Sequence, residues 1–264
     1  HHEVATAGQC EIDIKYDYMT NAADAAQSYK FVIRNVAQKY GKVATMMPKP
    51  VAMDSGSGMH VNVSLWKGNE NMFYDPNDEI ELSQAGRYFC GGIINHAKAL
   101  SAIGNPTTNS YHRLVPGYEA PAYIAWSSGN RSAVVRVPKH LTGKAYANLK
   151  RLEFRAPDPS SNPYLVFAAV TAAGLDGIKK KMDPGEQVSE DIFKMTKSDR
   201  NKRGIGVLPK SLGEALDELE SDRKFLLPIY TNDVIDKVIE LERRDQREIA
   251  IRPHPHEFYL YFDV

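Results

Sequence analysis

Three short stretches of this chain alternate between apolar and polar residues, and that alternation limits the fold more than any other feature of the sequence. In residues 59–65, His60, Asn62 and Ser64 fall on one side of an extended backbone, and Met59, Val61, Val63 and Leu65 on the other. In residues 149–155, Arg151, Glu153 and Arg155 oppose Leu152 and Phe154. In residues 11–16, Glu11, Asp13 and Lys15 oppose Ile12, Ile14 and Tyr16. A period of two marks strands with one buried face. Further strands are expected at 43–47 and 132–137. The short gap between the last two strands, 132–137 and 149–154, holds no crossover helix, so the sheet is expected to be antiparallel.

Helices fall between the strands. Residues 21–40 place Ala25, Tyr29, Val32, Ile33, Val36 and Tyr40 at helical spacing, and Gly41 stops the run. Residues 83–103 repeat this with Phe89, Cys90, Ile93, Ile94, Ala97 and Leu100. Asn162 caps a third helix with Pro163 in its first turn, and the Ala-rich body implies close packing. Ser211-Leu212-Gly213-Glu214 reads as a capping box for a fourth. Thr231 opens a fifth, with Val234, Ile235, Val238, Ile239 and Leu241 on one face. This order of elements predicts an α+β fold in one domain over 1–264. Within it, the polar stretch 183–206 is expected to be mobile or linker-like.

Composition removes several classes of function. Lysine plus arginine equals aspartate plus glutamate at 33 each, so nothing favours nucleic acid or an anionic membrane as partner. The longest apolar run, 165–175, is about half the ~20 residues that span a bilayer. Cys10 and Cys90 make no disulfide framework in a chain this long, which predicts a reducing compartment. The opening His1-His2-Glu3 carries neither an initiator methionine nor a signal peptide, which predicts either a start inside a longer protein or a tag remnant at its start.

The polar strand faces could simply meet solvent, as half-exposed antiparallel sheets do. An Arg-Glu-Arg row beside a His-Asn-Ser row is less ordinary. Carboxylates with an imidazole suit a hard divalent cation, and arginines suit phosphates and carboxylates through paired hydrogen bonds. Together they point to metal-assisted phosphoryl transfer to a carboxylate. Residues 54–58, Asp-Ser-Gly-Ser-Gly, precede one of these strands, but no lysine and helix follow as in a P-loop. Residues 105–121 form a long aperiodic segment with Tyr111, Leu114, Val115 and Tyr118 as apolar anchors. Such a segment either closes over a substrate or is an ordered surface connection.

The motifs HHEVATAGQCEI, MPKP followed by GSGMH, NPTTNSYHRLVPGYEAP, NRSAVVRVP, LEFRAPDPSSNPYL and AGLDGI occur in this order along the chain. Together, and essentially from end to end, they resemble the catalytic domain of type I glutamine synthetases. The resemblance implies an antiparallel curved sheet flanked by helices, the glutamine synthetase/guanido kinase-like catalytic domain. It also implies that the family's small N-terminal β-grasp domain and first catalytic strands are absent.

Carried over by motif, Glu3 and Glu11 match carboxylate ligands of one Mg²⁺ or Mn²⁺ ion, and His60 and Glu153 match ligands of a second. Ser55, Gly56, Arg113, Glu119 and Arg155 match glutamate-binding positions. Tyr16, Asn62, Ser64, Arg131, Arg136 and Arg151 match ATP contacts. Arg131 would steady the transferred phosphoryl group, and Glu119 would shield the intermediate and take a proton from ammonium. The implied reaction joins ammonium to L-glutamate at the expense of ATP, through γ-glutamyl phosphate. The resemblance further implies a cytoplasmic homododecamer of two hexameric rings, with active sites between subunits.

Asn62 stands where some members have histidine, and Asn148 where some have lysine. Phe193 stands where some bacterial members carry a tyrosine that is adenylylated, which predicts that this control is absent. The absent part normally completes both metal sites, so residues 1–264 alone are expected to be inactive. Two other readings are a γ-glutamyl ligase that uses an amine or polyamine, and a non-catalytic structural member of the family. Retained Glu3, Glu11, His60, Glu153, Arg131 and Glu119 argue against the last.

Overall fold

The structure, a computed structural model, describes residues 2–5, 8–115, 120–138 and 142–263. Its strands are β1 Val61–Val63, β2 Trp66–Lys67, β3 Glu70–Asn71, β4 Tyr123–Ser127, β5 Ala133–Arg136, β6 Leu152–Phe154 and β7 Gly206–Val207. Strands β2 and β3 form a separate hairpin, and the other five make one sheet in the order β1-β6-β5-β4-β7. Its helices are α1 Met19–Lys39, α2 Gln84–Asn95, α3 Ala97–Gly104, α4 Ser110–Arg113, α5 Pro163–Lys180, α6 Lys197–Lys202, α7 Leu212–Ser221, α8 Asn232–Ala250 and α9 Pro255–Tyr261.

One face of the sheet is apolar and packs on α2, which α5 covers in turn, while α7 packs on α3. Phe89, Ile93, Val134, Val135, Leu152 and Phe154 are almost wholly buried between these layers. Each such side chain contributes about 1.5–3 kcal/mol of hydrophobic stabilisation. The close packing expected of the Ala-rich helix is present. A Cβ on Gly92 of α2 would stand 2.0 Å from the Ala173 carbonyl of α5, so the two backbones touch.

Helix caps agree with the sequence. Asn162 accepts from the Tyr164 and Leu165 N–H groups, Ser211 from Glu214, and Thr231 from Val234. The Glu214 carboxylate reaches back to the Lys210 N–H, one residue before the cap, so the capping box is displaced by one position. Residues 83–103 are two helices and not one, broken at His96.

Other expectations are corrected. Residues 11–16 and 43–47 are not strands, and Ile12, Ile14 and Tyr16 are exposed. Alternation names the face a strand would bury, but a strand also needs a neighbour to pair with. Residues 59–65 and 149–154 shorten to β1 and β6, and 144–149 become a 3-10 turn. Helix α1 buries Ala23, Ala26 and Lys30 against α5, leaving the expected apolar face of Val32, Val36 and Tyr40 outward.

Three of the four pairings in the main sheet are antiparallel, β1–β6 and β5–β6 among them. The exception is β4–β5, which is parallel. Its short connection is pinned by Asn130, whose side chain accepts from Ser132 and donates to the carbonyls of Val188 and Glu190. Those contacts also anchor 183–206, where Ile192 is buried with Tyr123 and Ala133 and where β7 pairs with β4.

Candidate active site on the polar sheet face

Glu153 in the centre of β6 is paired in register with Asn62 of β1 and Arg136 of β5. Period two therefore brings the His60 row and the Arg151 row onto one face, as the sequence predicts. Glu153 is only 5% exposed. Its Oε1 faces His60 Nδ1 at 3.2 Å and Arg155 Nη1 at 3.2 Å, and its Oε2 accepts from Arg136 Nε. Burial would raise its pKa, but the hydrogen bond from His60 and the charges of Arg155 and Arg136 outweigh it and bring it down to about 2.

His60 is pushed the other way. Burial lowers its pKa, and Arg155 and Arg113 reinforce that against the pull of Glu153, so the imidazole is neutral. A proton on Nδ1, bonded to Glu153, leaves the Nε2 lone pair available as a metal ligand. Nε2 faces Gly58, where a Cβ would lie 2.9 Å from it and 2.5 Å from Arg113 Nη2.

Arg113, at the end of α4, is 3% exposed. Its guanidinium donates to the carbonyls of Ala156 and Arg155 at 2.7 and 3.1 Å. Burial pushes its pKa down to about 10, partly opposed by Asp158. A cation this buried, with backbone carbonyls as its hydrogen-bond partners, is suited to an anion.

Glu3 lies beside the His2–Cys10 bridge, and its N–H donates to the Gln9 carbonyl at 3.0 Å. Burial raises the Glu11 carboxyl above its usual range, and the neighbouring carboxylates of Glu3, Asp13 and Glu153 raise it further. A carboxyl held up by burial and by neighbouring carboxylates is a donor that a divalent cation would relieve. Among the described residues, however, no three His, Cys, Asp or Glu side chains converge as a ready metal cage.

Asn62 Oδ1 accepts from Arg151 Nε at 2.8 Å, and Ser64 Oγ accepts from Trp66 Nε1 at 2.9 Å. Arg131 is exposed on the turn before β5, close enough to lower the Arg155 pKa. Ser55 donates its N–H to Asp54 Oδ1. Glu119 lies outside the described residues.

Sequence reasoning missed two participants. Trp66 stacks on Tyr16 with planes 9° apart and centroids separated by 6.2 Å. Continuing the His60, Asn62, Ser64 alternation by one step would have found it. Gln9 donates to Gly56 O at 2.9 Å and Ser57 Oγ at 3.0 Å, lacing the first residues onto the 54–58 turn, and no pattern announces it.

The motifs implied the glutamine synthetase family and its fold, and comparison with known proteins agrees on both. The family model for the glutamine synthetase catalytic domain matches residues 1–261. The chain is 53% identical over 265 residues to the glutamine synthetase of Sulfolobus acidocaldarius, and 49% identical over 267 residues to that of Streptomyces coelicolor. Each alignment takes in 100% of this chain and 56% of the relative, so the chain spans a little over half their length. Among solved structures it resembles a GmaS/ADP complex with a TM-score of 0.88 and 34% identity, covering 100% of this chain and 59% of that one. It also resembles the glutamine synthetase of Plasmodium falciparum, with a TM-score of 0.81 and 33% identity over 94% of this chain and 55% of that one.

The chain belongs to the glutamine synthetase family and carries its catalytic domain.

Proposed function

We propose that the whole protein ligates ammonium to L-glutamate with ATP, and that the polar sheet face is its active site. The observation that carries the proposal is the grouping of three guanidiniums, Arg113, Arg136 and Arg155, around His60 and the buried carboxylate Glu153, with buried Asp158 facing Arg113. That excess of positive charge suits the carboxylates of glutamate and the phosphates of a nucleotide together.

In this reading Arg113, Arg155, Ser55 and Gly56 bind glutamate, with Glu119 as part of the lid. Tyr16, Trp66, Asn62, Ser64, Arg136 and Arg151 line the nucleotide side. Glu3, Glu11, His60 and Glu153 would hold Mg²⁺ or Mn²⁺, which supplies charge neutralisation during phosphoryl transfer. Arg131 steadies the moving phosphoryl group as the glutamate carboxylate attacks. Glu119 then accepts a proton from the incoming ammonium and excludes water from the acyl phosphate.

No helix among the described residues is long and apolar enough to cross a membrane. A cytoplasmic enzyme that assembles as two stacked hexameric rings fits this reading, and light scattering tests the assembly. Residues 1–264 alone are expected to be inactive. The deciding assay uses full-length protein with Mg²⁺ or Mn²⁺, following phosphate release with glutamate and ammonium, then with methylamine or a polyamine in place of ammonium. Release that needs glutamate and prefers ammonium supports the proposal. Preference for the amine assigns a γ-glutamyl-amine ligase, and no glutamate-dependent release assigns a non-catalytic member.

A further inference from the structure

We infer that Asn109 is a positioning residue for the substrate carboxylate, holding the Arg113 side chain in place against the 54–58 turn; the inference rests on the functional reading above. Asn109 occupies the cap position of α4, where an asparagine side chain ordinarily accepts from first-turn N–H groups. It makes no such bond. Its Oδ1 accepts instead from the Lys49 N–H at 2.8 Å, and its Nδ2 donates to the Lys49 carbonyl at 3.0 Å. Two residues exchange bonds in this way across an antiparallel ladder. Here a side-chain amide stands in for one strand. Lys49 lies between Pro48 and Pro50, so it brings the one N–H of that tripeptide, and Asn109 takes it.

The clamp matters for what it joins. Pro48 O accepts from the Ser57 N–H at 2.8 Å. A Cβ on Gly56 would lie 2.5 Å from that same carbonyl and 2.9 Å from Arg113 Cγ. Arg113 follows Asn109 by about one helical turn, so its stem packs on Gly56 while its guanidinium is held by Ala156 and Arg155. Asn109 ties the Pro48 side of this contact to the helix that carries Arg113. The start of α4 does not need it, because Thr107 and Ser110 exchange backbone-to-hydroxyl bonds at 3.2 and 3.1 Å.

Asn109→Ser tests the inference in the full-length protein. Serine suits a helix cap but is too short to make both bonds to Lys49. Asn109→Asp, which keeps the acceptor and loses the donor, is the second variant. The readouts are glutamate affinity by calorimetry, KM for glutamate and for ATP, and the thermal midpoint. Glutamate binding and KM should weaken about tenfold in Asn109→Ser, the effect of a lost hydrogen-bond pair, with ATP KM within about twofold of wild type and a smaller change in Asn109→Asp. Unchanged glutamate affinity in both variants, or glutamate and ATP constants rising together with a fall in midpoint, overturns the inference while wild-type activity leaves the functional reading standing. Wild-type protein that binds no glutamate overturns both.

Discussion

The imidazole of His96 stacks on the ring of Phe225, with centroids 3.9 Å apart and planes inclined by 17°. Both ring nitrogens are engaged as well: Nδ1 with Asp222 at 2.6 Å and Nε2 with Asp176 at 3.0 Å. One side chain, 3% exposed, thus joins the α2–α3 break to α5 and to the end of α7. His96→Ala would remove the stack and leave Asp176 facing a void beside Lys180. The expected loss is about 3 kcal/mol, as for removing one partner of a buried polar pair. Urea denaturation measures it, and a loss below ~1 kcal/mol would show that the packing closes over the gap.

Glu242 of α8 predicts a pH dependence. Its Oε2 is buried without a hydrogen-bond partner, and burial, with Asp245 adding to it, pushes the pKa from 4.5 up to about 9. An acid with a higher pKa when folded holds its proton more tightly in that state. Its contribution is therefore fully present below about pH 4.5 and declines as pH rises toward 9. Glu242→Gln keeps the shape and cannot ionise. It should stabilise the fold by up to about 3 kcal/mol at pH 7, and leave the variant less sensitive to pH between 5 and 9. Denaturation at three pH values checks this; parallel wild-type and variant curves would contradict it.

Trp66→Ala should raise ATP KM and spare glutamate KM, because Trp66 stacks on Tyr16 and binds Ser64 on the side of the face assigned to nucleotide. Loss of one aromatic stack is expected to weaken nucleotide binding by about 5- to 10-fold. Steady-state kinetics on the full-length protein separates the two constants. A change confined to glutamate would reverse the assignment of the two halves of the site.

Phe193 packs near Tyr123, with ring centroids 5.9 Å apart, and offers no hydroxyl. No AMP should be found attached there after incubation with an adenylyltransferase and ATP. Mass spectrometry of the intact chain checks this, and an adduct mapped to residues 183–206 would refute it.

How much of this could be read in the sequence depends on whether a residue's role is local. The caps Asn162, Ser211 and Thr231 act within one turn, and all three appear as expected. The polar face was legible because period two is a property of the backbone and both β1 and β6 found partners. Residues 11–16 have the same pattern, yet no strand forms there. Helix α1 forms as expected, but its buried face was not legible: Val32 and Val36 mark an apolar stripe, whereas Ala23 and Ala26 are the residues small enough to meet α5. Strand β4 was missed, and its parallel pairing to β5 through so short a connection breaks the usual rule. Asn109 and Gln9 join distant segments through side-chain amides, and no local signal records such bonds.

The contact of Gly92 with Ala173 has a mechanical consequence. Two helices whose backbones meet without side chains between them have no soft layer to compress, and neither can slide without a clash of main-chain atoms. Helices α2 and α5 therefore behave as a single stiff strut beneath the sheet. Whatever the polar face of the sheet does, it does on a floor that cannot yield beneath it.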